Sequence, residues 1–223
     1  MPVLLSMAQT TAWSDLGKRA LSAILLAPLA LFGIWLGGPV WTAFVVLAAA
    51  IMAGEWALLC GGRPVPLALG LPYLAIGPIA MVSMRLDPRT GLLNVAFVVA
   101  IVWASDIGAY LAGRLAGGPR LAPRISPGKT WSGAAGGFVA ATLVGLAAAT
   151  TPHAVGVAAV IGVASQAGDL FESWLKRRFG VKDSSALIPG HGGLLDRLDG
   201  LLFAAPVAAL IELLLGRGTF LWT

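Results

Sequence analysis

The chain has 223 residues, of which 58% are hydrophobic and only 11% are charged, and its mean hydropathy is +0.87. Soluble globular domains carry about 25% charged residues, so this composition excludes an ordinary soluble enzyme and indicates a protein that lies in lipid. The formal net charge of +5 does not indicate nucleic-acid binding, because the basic residues are confined to short segments between apolar runs. The single cysteine, Cys60, excludes an intramolecular disulfide.

Apolar segments long enough to form membrane spans recur along the whole chain. A helix needs about 20 mostly apolar residues to cross the hydrocarbon core. Seven segments come close to this length: 19–36, 40–60, 65–84, 91–114, 132–150, 153–175 and 198–216. The sequence therefore predicts an all-α integral membrane protein with one membrane domain over 1–223, a polytopic bundle of about seven transmembrane helices with two polar loops, 115–131 and 176–197.

The distribution of Lys and Arg predicts the orientation of these spans. Short loops rich in basic residues stay on the cytoplasmic side of a membrane. With the N-terminus inside, twelve of the fifteen Lys and Arg residues are cytoplasmic, and only Arg85, Arg89 and Arg217 lie outside. Both polar loops are then cytoplasmic, and we expect the functional site among them.

The sixth span carries polar residues along one helical stripe. Gln166, Asp169 and Glu172 recur every three residues, which places them on one face of the helix. An ionisable residue inside a membrane segment is costly and indicates a functional site. For Glu172 the alternative is that it reaches the nearby cytoplasmic interface beside Lys176.

The segment after this span has the densest polar composition in the chain. Asp196 and Asp199 could hold a divalent cation, because Mg²⁺ prefers carboxylate oxygens and shares its remaining positions with substrate phosphates. Glycines around His191 allow backbone amides to approach an anion. Four basic residues could bind phosphate oxygens: Lys176, Arg177, Arg178 and Lys182. The alternative for the first three of them is that they only set the orientation of the span. This combination is typical of phosphoryl or nucleotidyl transfer.

Four further residues are candidates for the site. Asp106, at the end of the fourth span, could be a metal ligand or an ion-pair partner of Arg114. The next loop contains Gly-Lys-Thr at 128–130, but Pro123 stands where a Walker A motif needs glycine, which excludes a P-loop. Ser126 and Lys129 remain candidate phosphate contacts on an irregular loop. Glu55, inside the second span, could line the site or reach the interface.

The polar motifs resemble those of phosphatidate cytidylyltransferases, also called CDP-diacylglycerol synthases. The resemblance rests on Ser173-x-x-Lys176-Arg177, Lys182-Asp183, Pro189-Gly190-His191-Gly192-Gly193-x-x-Asp196-Arg197-x-Asp199, Asp106-x-Gly108-Ala109-Tyr110, Ile125 to Gly133, and Gly168-Asp169-x-x-Glu172-Ser173. Gly128 and Ser132 depart from the family's more usual lysine and glutamate. The N-terminal spans, 19–90, are shortened relative to the family, whereas 91–216 retains the catalytic spans and loops.

The resemblance implies transfer of CMP from CTP to phosphatidic acid in a bacterial inner membrane, with Mg²⁺ as cofactor and a second cation left open. By similarity, Asp169, Asp196 and Asp199 hold the metal and, with Lys182, form the catalytic set. The residues implied to bind substrate are Ser126, Lys129, Ser173, Lys176, Arg177, His191, Gly192, Gly193, Arg197 and Asp106. A homodimer is left open.

Two alternatives remain at this point. One is a related CTP-dependent enzyme that acts on another lipid, such as a CDP-archaeol synthase or a polyprenol kinase. The other is an ion-coupled transporter, since intramembrane acids also suit cation pathways.

Overall fold

A computed structural model describes residues 27–188 and 192–223 of the chain. The helices over these ranges are α1 (Ala27–Leu36), α2 (Gly38–Cys60), α3 (Pro64–Arg85), α4 (Gly91–Ala116), α5 (Trp131–Ala148), α6 (Pro152–Arg178) and α7 (Leu195–Leu215). All except α1 are long and apolar enough to cross a membrane. Six predicted spans are thereby confirmed, and the first predicted segment, 19–36, lies partly outside the described residues.

Successive long helices run in opposite directions, so their connections gather at two ends of the bundle. Residues 117–130 and 179–188 lie at one end, which we call the hairpin end, and residues 86–90 and 216–223 lie at the opposite end. The outer faces of the helices carry exposed leucines, for example Leu69 and Leu213. A helix that is apolar on its outer face as well as its inner face is typical of a membrane span. The structure is therefore that of a multi-pass membrane protein.

The connection between α4 and α5 is a two-stranded antiparallel hairpin, not the irregular loop that the sequence suggested. Its strands are β1 (Arg120–Ala122) and β2 (Ser126–Thr130), and the backbone N–H of Ile125 donates to the carbonyl of Ala122 at 3.0 Å to close the turn. The side chain of Thr130 then accepts a hydrogen bond from the N–H of Gly133 and caps α5. Lys129 is therefore held in a defined position immediately before a capped helix.

Glycines allow the helices that carry the polar residues to pack with their backbones in contact. A Cβ atom at Gly108 of α4 would lie 2.6 Å from the carbonyl oxygen of Gly136 on α5. Gly133, Gly136 and Gly137 of α5 serve the same close packing, since a Cβ at each would lie 2.9 Å or less from a neighbouring atom. A Cβ at Gly168 on α6 would lie 2.6 Å from the carbonyl oxygen of Asp199 on α7. This contact places the acids of α6 beside those of α7.

A second polar cluster lies at the opposite end of the bundle. The buried amide of Asn94 donates to Glu212 at 2.9 Å and to the carbonyl of Thr219 at 3.0 Å, and its oxygen accepts from the N–H of Leu221. Every buried polar group in this cluster has a partner within the chain, which fastens the C-terminal segment to α4 and α7.

Candidate active site

One cavity of about 550 Å³ opens at the hairpin end of the bundle. Its walls come from α4, the hairpin, α5, α6 and α7. The acidic side chains that line it are Asp106, Asp169, Asp196 and Asp199, and the basic ones are Arg114, Lys129, Lys176 and Arg197. Seven of the predicted site residues therefore lie around one space, although they come from four separate parts of the sequence.

Asp169 forms a salt bridge with Lys129 at the wall of this cavity. Asp169 follows Gly168, where α6 crosses α7, and Lys129 lies in β2. Both side chains are partly exposed to the cavity, 35% for Asp169 and 26% for Lys129. The pair is thus accessible to a ligand that brings its own charge.

Lys176 forms a more deeply buried ion pair with two carboxylates. Its Nζ lies 2.5 Å from Glu172 Oε2 and 2.5 Å from Asp196 Oδ1. The Lys176 side chain is 12% exposed, whereas Glu172 and Asp196 are 1% and 3% exposed. Buried carboxylates need a cation or hydrogen-bond donors, so Lys176 makes their burial tolerable. The burial of Glu172 excludes the alternative, raised from the sequence, that this side chain reaches the cytoplasmic interface.

The second oxygen of Asp196 accepts hydrogen bonds from the loop that precedes α7. The N–H and hydroxyl of Ser184 donate to Oδ2 at 2.8 and 2.7 Å, and the N–H of Gly193 donates at 2.7 Å. Gly192 has φ +79°, and a Cβ there would lie 2.7 Å from the same oxygen. Glycine is therefore required at this position, because any side chain would meet the carboxylate. The predicted residue His191 lies outside the described residues.

Glu55 does neither of the things that the sequence suggested, because it lies within the protein and away from the cavity wall. It is 4% exposed, it accepts hydrogen bonds from the hydroxyl of Ser185 and from the N–H groups of Leu194 and Leu195, and it lies 3.3 Å from the hydroxyl of Ser184. In the sequence, the only feature that drew attention to Glu55 was its place as an acidic residue inside a predicted span. Sequence reasoning missed Ser184 altogether, since no spacing rule relates it to Glu55 or Asp196.

The donor set of the cavity suits a hard divalent cation. Asp169, Asp196 and Asp199 all line the same space, as the predicted metal site requires, and carboxylate oxygens are the ligands that Mg²⁺ prefers. In the described residues no three side chains of the His, Cys, Asp and Glu types are already arranged as a metal site. Lys129 and Lys176 occupy the positions of counter-ions to Asp169 and Asp196. The carboxylates therefore have the chemistry that a divalent cation needs, and Lys129 and Lys176 are paired with two of them.

The other predicted residues lie outside the cavity wall. Arg177 donates to the carbonyl oxygens of Ile125 and Val181, which joins the hairpin to the end of α6. Ser126 opens β2 and Lys182 is exposed beyond the end of α6, while Ser173 is half-buried within that helix.

Arg114 donates to the hydroxyl of Tyr110 at 2.6 Å, and Asp106 takes part in none of the salt bridges that the described residues form. The ion-pair alternative for Asp106 and Arg114 is therefore wrong, and Asp106 faces the cavity.

Comparison with known proteins shows an extended similarity. The profile of the cytidylyltransferase family matches residues 65–215. A Brucella suis protein named phosphatidate cytidylyltransferase is 47% identical over 169 residues, which are 73% of this chain and 61% of the relative. Proteins of the same name are 34% identical in Rickettsia felis, over 88% of this chain and 92% of the relative, and 40% identical in Pseudomonas aeruginosa, over 80% and 68%. The chain thus spans about 61% of the length of the Brucella relative.

Proposed function

This chain belongs to the cytidylyltransferase family, and we propose that it transfers the CMP group of CTP to phosphatidic acid, which gives CDP-diacylglycerol and pyrophosphate. The observation that carries the proposal is the cavity in which acids and cations from α4, the hairpin, α6 and α7 meet. The cavity lies at one end of a bundle whose outer surface is apolar, and we propose that the lipid phosphate enters it from the bilayer. The name that the relatives carry supplies the substrate pair.

The proposed reaction needs charge neutralisation more than a strong base. A phosphate oxygen of phosphatidic acid attacks the α-phosphorus of CTP, the bond from that phosphorus to the oxygen bridging to the β-phosphate breaks, and pyrophosphate leaves. The attacking oxygen is already an anion, so no group on the protein has to remove a proton from it. The barrier lies in bringing negative groups together, which fixed cations relieve.

The basic residues of the cavity are placed to do this from different sides. Lys129 projects from the hairpin, Lys176 from the end of α6 and Arg197 from the first turn of α7. Glu172 and Asp196 hold the ammonium of Lys176, so the charge is fixed before a substrate arrives. We assign these three cations to the phosphates of CTP and of the lipid. Arg177, Lys182, Ser126, Ser173 and the segment around His191 stay predicted contacts.

Asp169, Asp196 and Asp199 would hold Mg²⁺ in this proposal. When bound, the metal would polarise a phosphoryl oxygen and offset negative charge that develops as pyrophosphate leaves. Membrane lipids surround the enzyme, the inner membrane of a bacterium is its location, and the hairpin end faces the cytoplasm, where CTP is found. A homodimer and a second cation stay open in the proposal.

The test is Mg²⁺-dependent conversion of radiolabelled CTP and phosphatidic acid to CDP-diacylglycerol by the purified protein. We expect turnover by the wild type and loss of at least a hundredfold, on the order of 3 kcal/mol of transition-state stabilisation, in Asp196→Asn. A folded wild-type protein that is inactive with phosphatidic acid contradicts the proposal. Turnover with an archaeal ether lipid or with a polyprenol in place of phosphatidic acid would instead identify the other lipid substrates.

A further inference from the structure

We propose that Glu55, in the second helix of the bundle, is a positioning residue that sets the orientation of Asp196 through the loop before α7. The inference rests on the proposed function, because Asp196 matters only if the cavity is the active site. Nothing in the motifs assigns a role to Glu55, and its side chain does not line the cavity.

The contacts of Glu55 reach both sides of the segment 189–191. On one side, Ser185 donates to Oε1 at 2.7 Å. On the other side, the N–H of Leu194 donates to Oε1 at 2.9 Å and the N–H of Leu195 donates to Oε2 at 2.8 Å. One carboxylate from α2 therefore holds Ser185 at a fixed separation from Leu194 and Leu195.

The same carboxylate completes the start of α7. The first N–H groups of a helix have no partner within it, and the residue at the N-cap of α7, Leu194, has no side chain that could serve. Glu55 supplies the missing acceptors from another helix, and a negative charge is favourable at a helix N-terminus. Helix α7 begins one residue before Asp196, so Glu55 fixes the backbone from which that side chain projects.

Ser184 links the two acids directly. Its hydroxyl lies 2.7 Å from Asp196 Oδ2 and 3.3 Å from Glu55 Oε2. A hydroxyl has one proton, so it donates to the nearer Asp196 while Glu55 lies on its other side. A Cβ at Gly193 would lie 2.6 Å from Glu55 Oε1, so the backbone that donates to Asp196 is also packed against Glu55. Among the described residues, every loop donor to Asp196 is thus in contact with Glu55 or adjacent to a residue that is.

Glutamine at position 55 should disrupt this arrangement even though it has the same shape. An amide offers one acceptor oxygen, and its NH₂ group would face either the N–H of Leu195, which now donates to Oε2, or the two donors to Oε1. Groups that orient metal or substrate ligands typically contribute 10- to 100-fold to activity or metal affinity. We expect Glu55→Gln to lower kcat by about tenfold to a hundredfold with KM for CTP changed less than about threefold.

The alternative is that Glu55 only stabilises the fold, and the chain offers a matched control for it. Glu212 is also a buried carboxylate, it lies on the same α7, and it accepts a hydrogen bond from Asn94 at the opposite end of the bundle. Glu212→Gln should therefore lower stability without changing the loop or the cavity. Ser185→Ala is a milder companion variant, because it removes one donor to Glu55 and no contact to Asp196.

The experiment compares amide hydrogen exchange of a peptide covering residues 183–198 in the purified full-length protein, together with kcat and KM at saturating Mg²⁺. For Glu55→Gln we expect at least tenfold faster exchange in this peptide, with the decrease in kcat given above. Ser185→Ala should show a smaller change in the same direction. Glu212→Gln should leave both exchange of the peptide and kcat within about twofold of the wild type.

Three outcomes would overturn the inference. The first is wild-type exchange of the peptide in Glu55→Gln, and the second is faster exchange with unchanged kcat. The third is an equal decrease of kcat in Glu212→Gln, which would show an effect of stability alone. The exchange comparison needs no turnover, so an inactive wild-type protein would refute the proposed reaction while the contact between Glu55 and the loop is still measured.

Discussion

Replacing Lys176 with methionine tests the electrostatic core of the candidate site. Methionine keeps much of the apolar stem of lysine and removes only the charged end. Glu172 and Asp196, which are 1% and 3% exposed, would then lose the cation that lies between them. Removing one partner of a buried ion pair costs about 3–5 kcal/mol, because a buried charge is left uncompensated. The ratio of folded to unfolded protein should fall by about a hundredfold to a few thousandfold.

The assay is equilibrium unfolding in mixed detergent micelles, with Lys182→Met as the control. Lys182 is exposed beyond the end of α6, so this control should change the free energy of unfolding by no more than about 0.5 kcal/mol. Adding Glu172→Gln to Lys176→Met should recover part of the loss, since it removes one of the two uncompensated charges. We expect the cost of the double variant to be about 1–3 kcal/mol below the sum of the single costs.

The reasoning is refuted if Lys176→Met unfolds within 1 kcal/mol of the wild type, on the order of a surface substitution. It is also refuted if the two single costs simply add, because the charges of Glu172 and Lys176 would then be independent of each other. Either result would mean that water enters the α6–α7 contact and screens the carboxylates.

Two further predictions concern helix packing and pH. Gly168→Leu should lower stability by about 1–3 kcal/mol in the same unfolding assay, because its Cβ would lie 2.6 Å from the carbonyl oxygen of Asp199. Gly156→Ala, on the same helix with nothing within 4 Å of its Cβ, should be neutral or slightly stabilising, and equal costs would contradict the packing argument. Asp87, in the connection between α3 and α4, accepts hydrogen bonds from the N–H groups of Arg89 and Thr90, which hold its pKa below the ordinary value. The stability that the ionised Asp87 contributes should be fully present above roughly pH 4, the ordinary pKa of aspartate, and should be lost as the pH falls through its lowered pKa in the folded state. The difference in unfolding midpoint between wild type and Asp87→Asn should therefore shrink at the acid end. A constant difference down to roughly pH 3 would refute this.

The spans could be predicted from sequence because lipid imposes a length and a composition on them. Helices α2 to α7 match the predicted segments closely for this reason. The hairpin was not predicted, since strands of three and five residues leave too little periodicity to read. Its effect on the site is large, because it holds Lys129 against Asp169, two residues that are 40 positions apart in the chain.

The site itself was predicted in its acids and less well in their partners. The spacing of Asp169 on α6 and the family pattern around Asp196 and Asp199 indicated residues that the structure brings to one cavity. Partners that lie far apart in sequence have no such signal, and a local pattern cannot show that Glu55 accepts from Ser185 or that Lys176 bridges two carboxylates. These contacts depend on how α2, α6 and α7 pack.

The charges that line the cavity give a physical reason to expect that a divalent cation binds together with the proposed substrates. In the part of the chain that the structure describes, the cavity wall has four acidic and four basic side chains, so their formal charges balance. A balanced wall offers little net attraction to the two anionic substrates proposed above, CTP and a lipid phosphate. If the lysines contact the phosphates, the acids lose these counter-ions and repel the phosphates unless another positive charge offsets them. A divalent cation that enters with the nucleotide would offset Asp169 and Asp199 and leave Lys129 free to contact phosphate. The proposed chemistry therefore uses the lysines and the acids of the cavity for different partners, phosphate for the lysines and the cation for the acids.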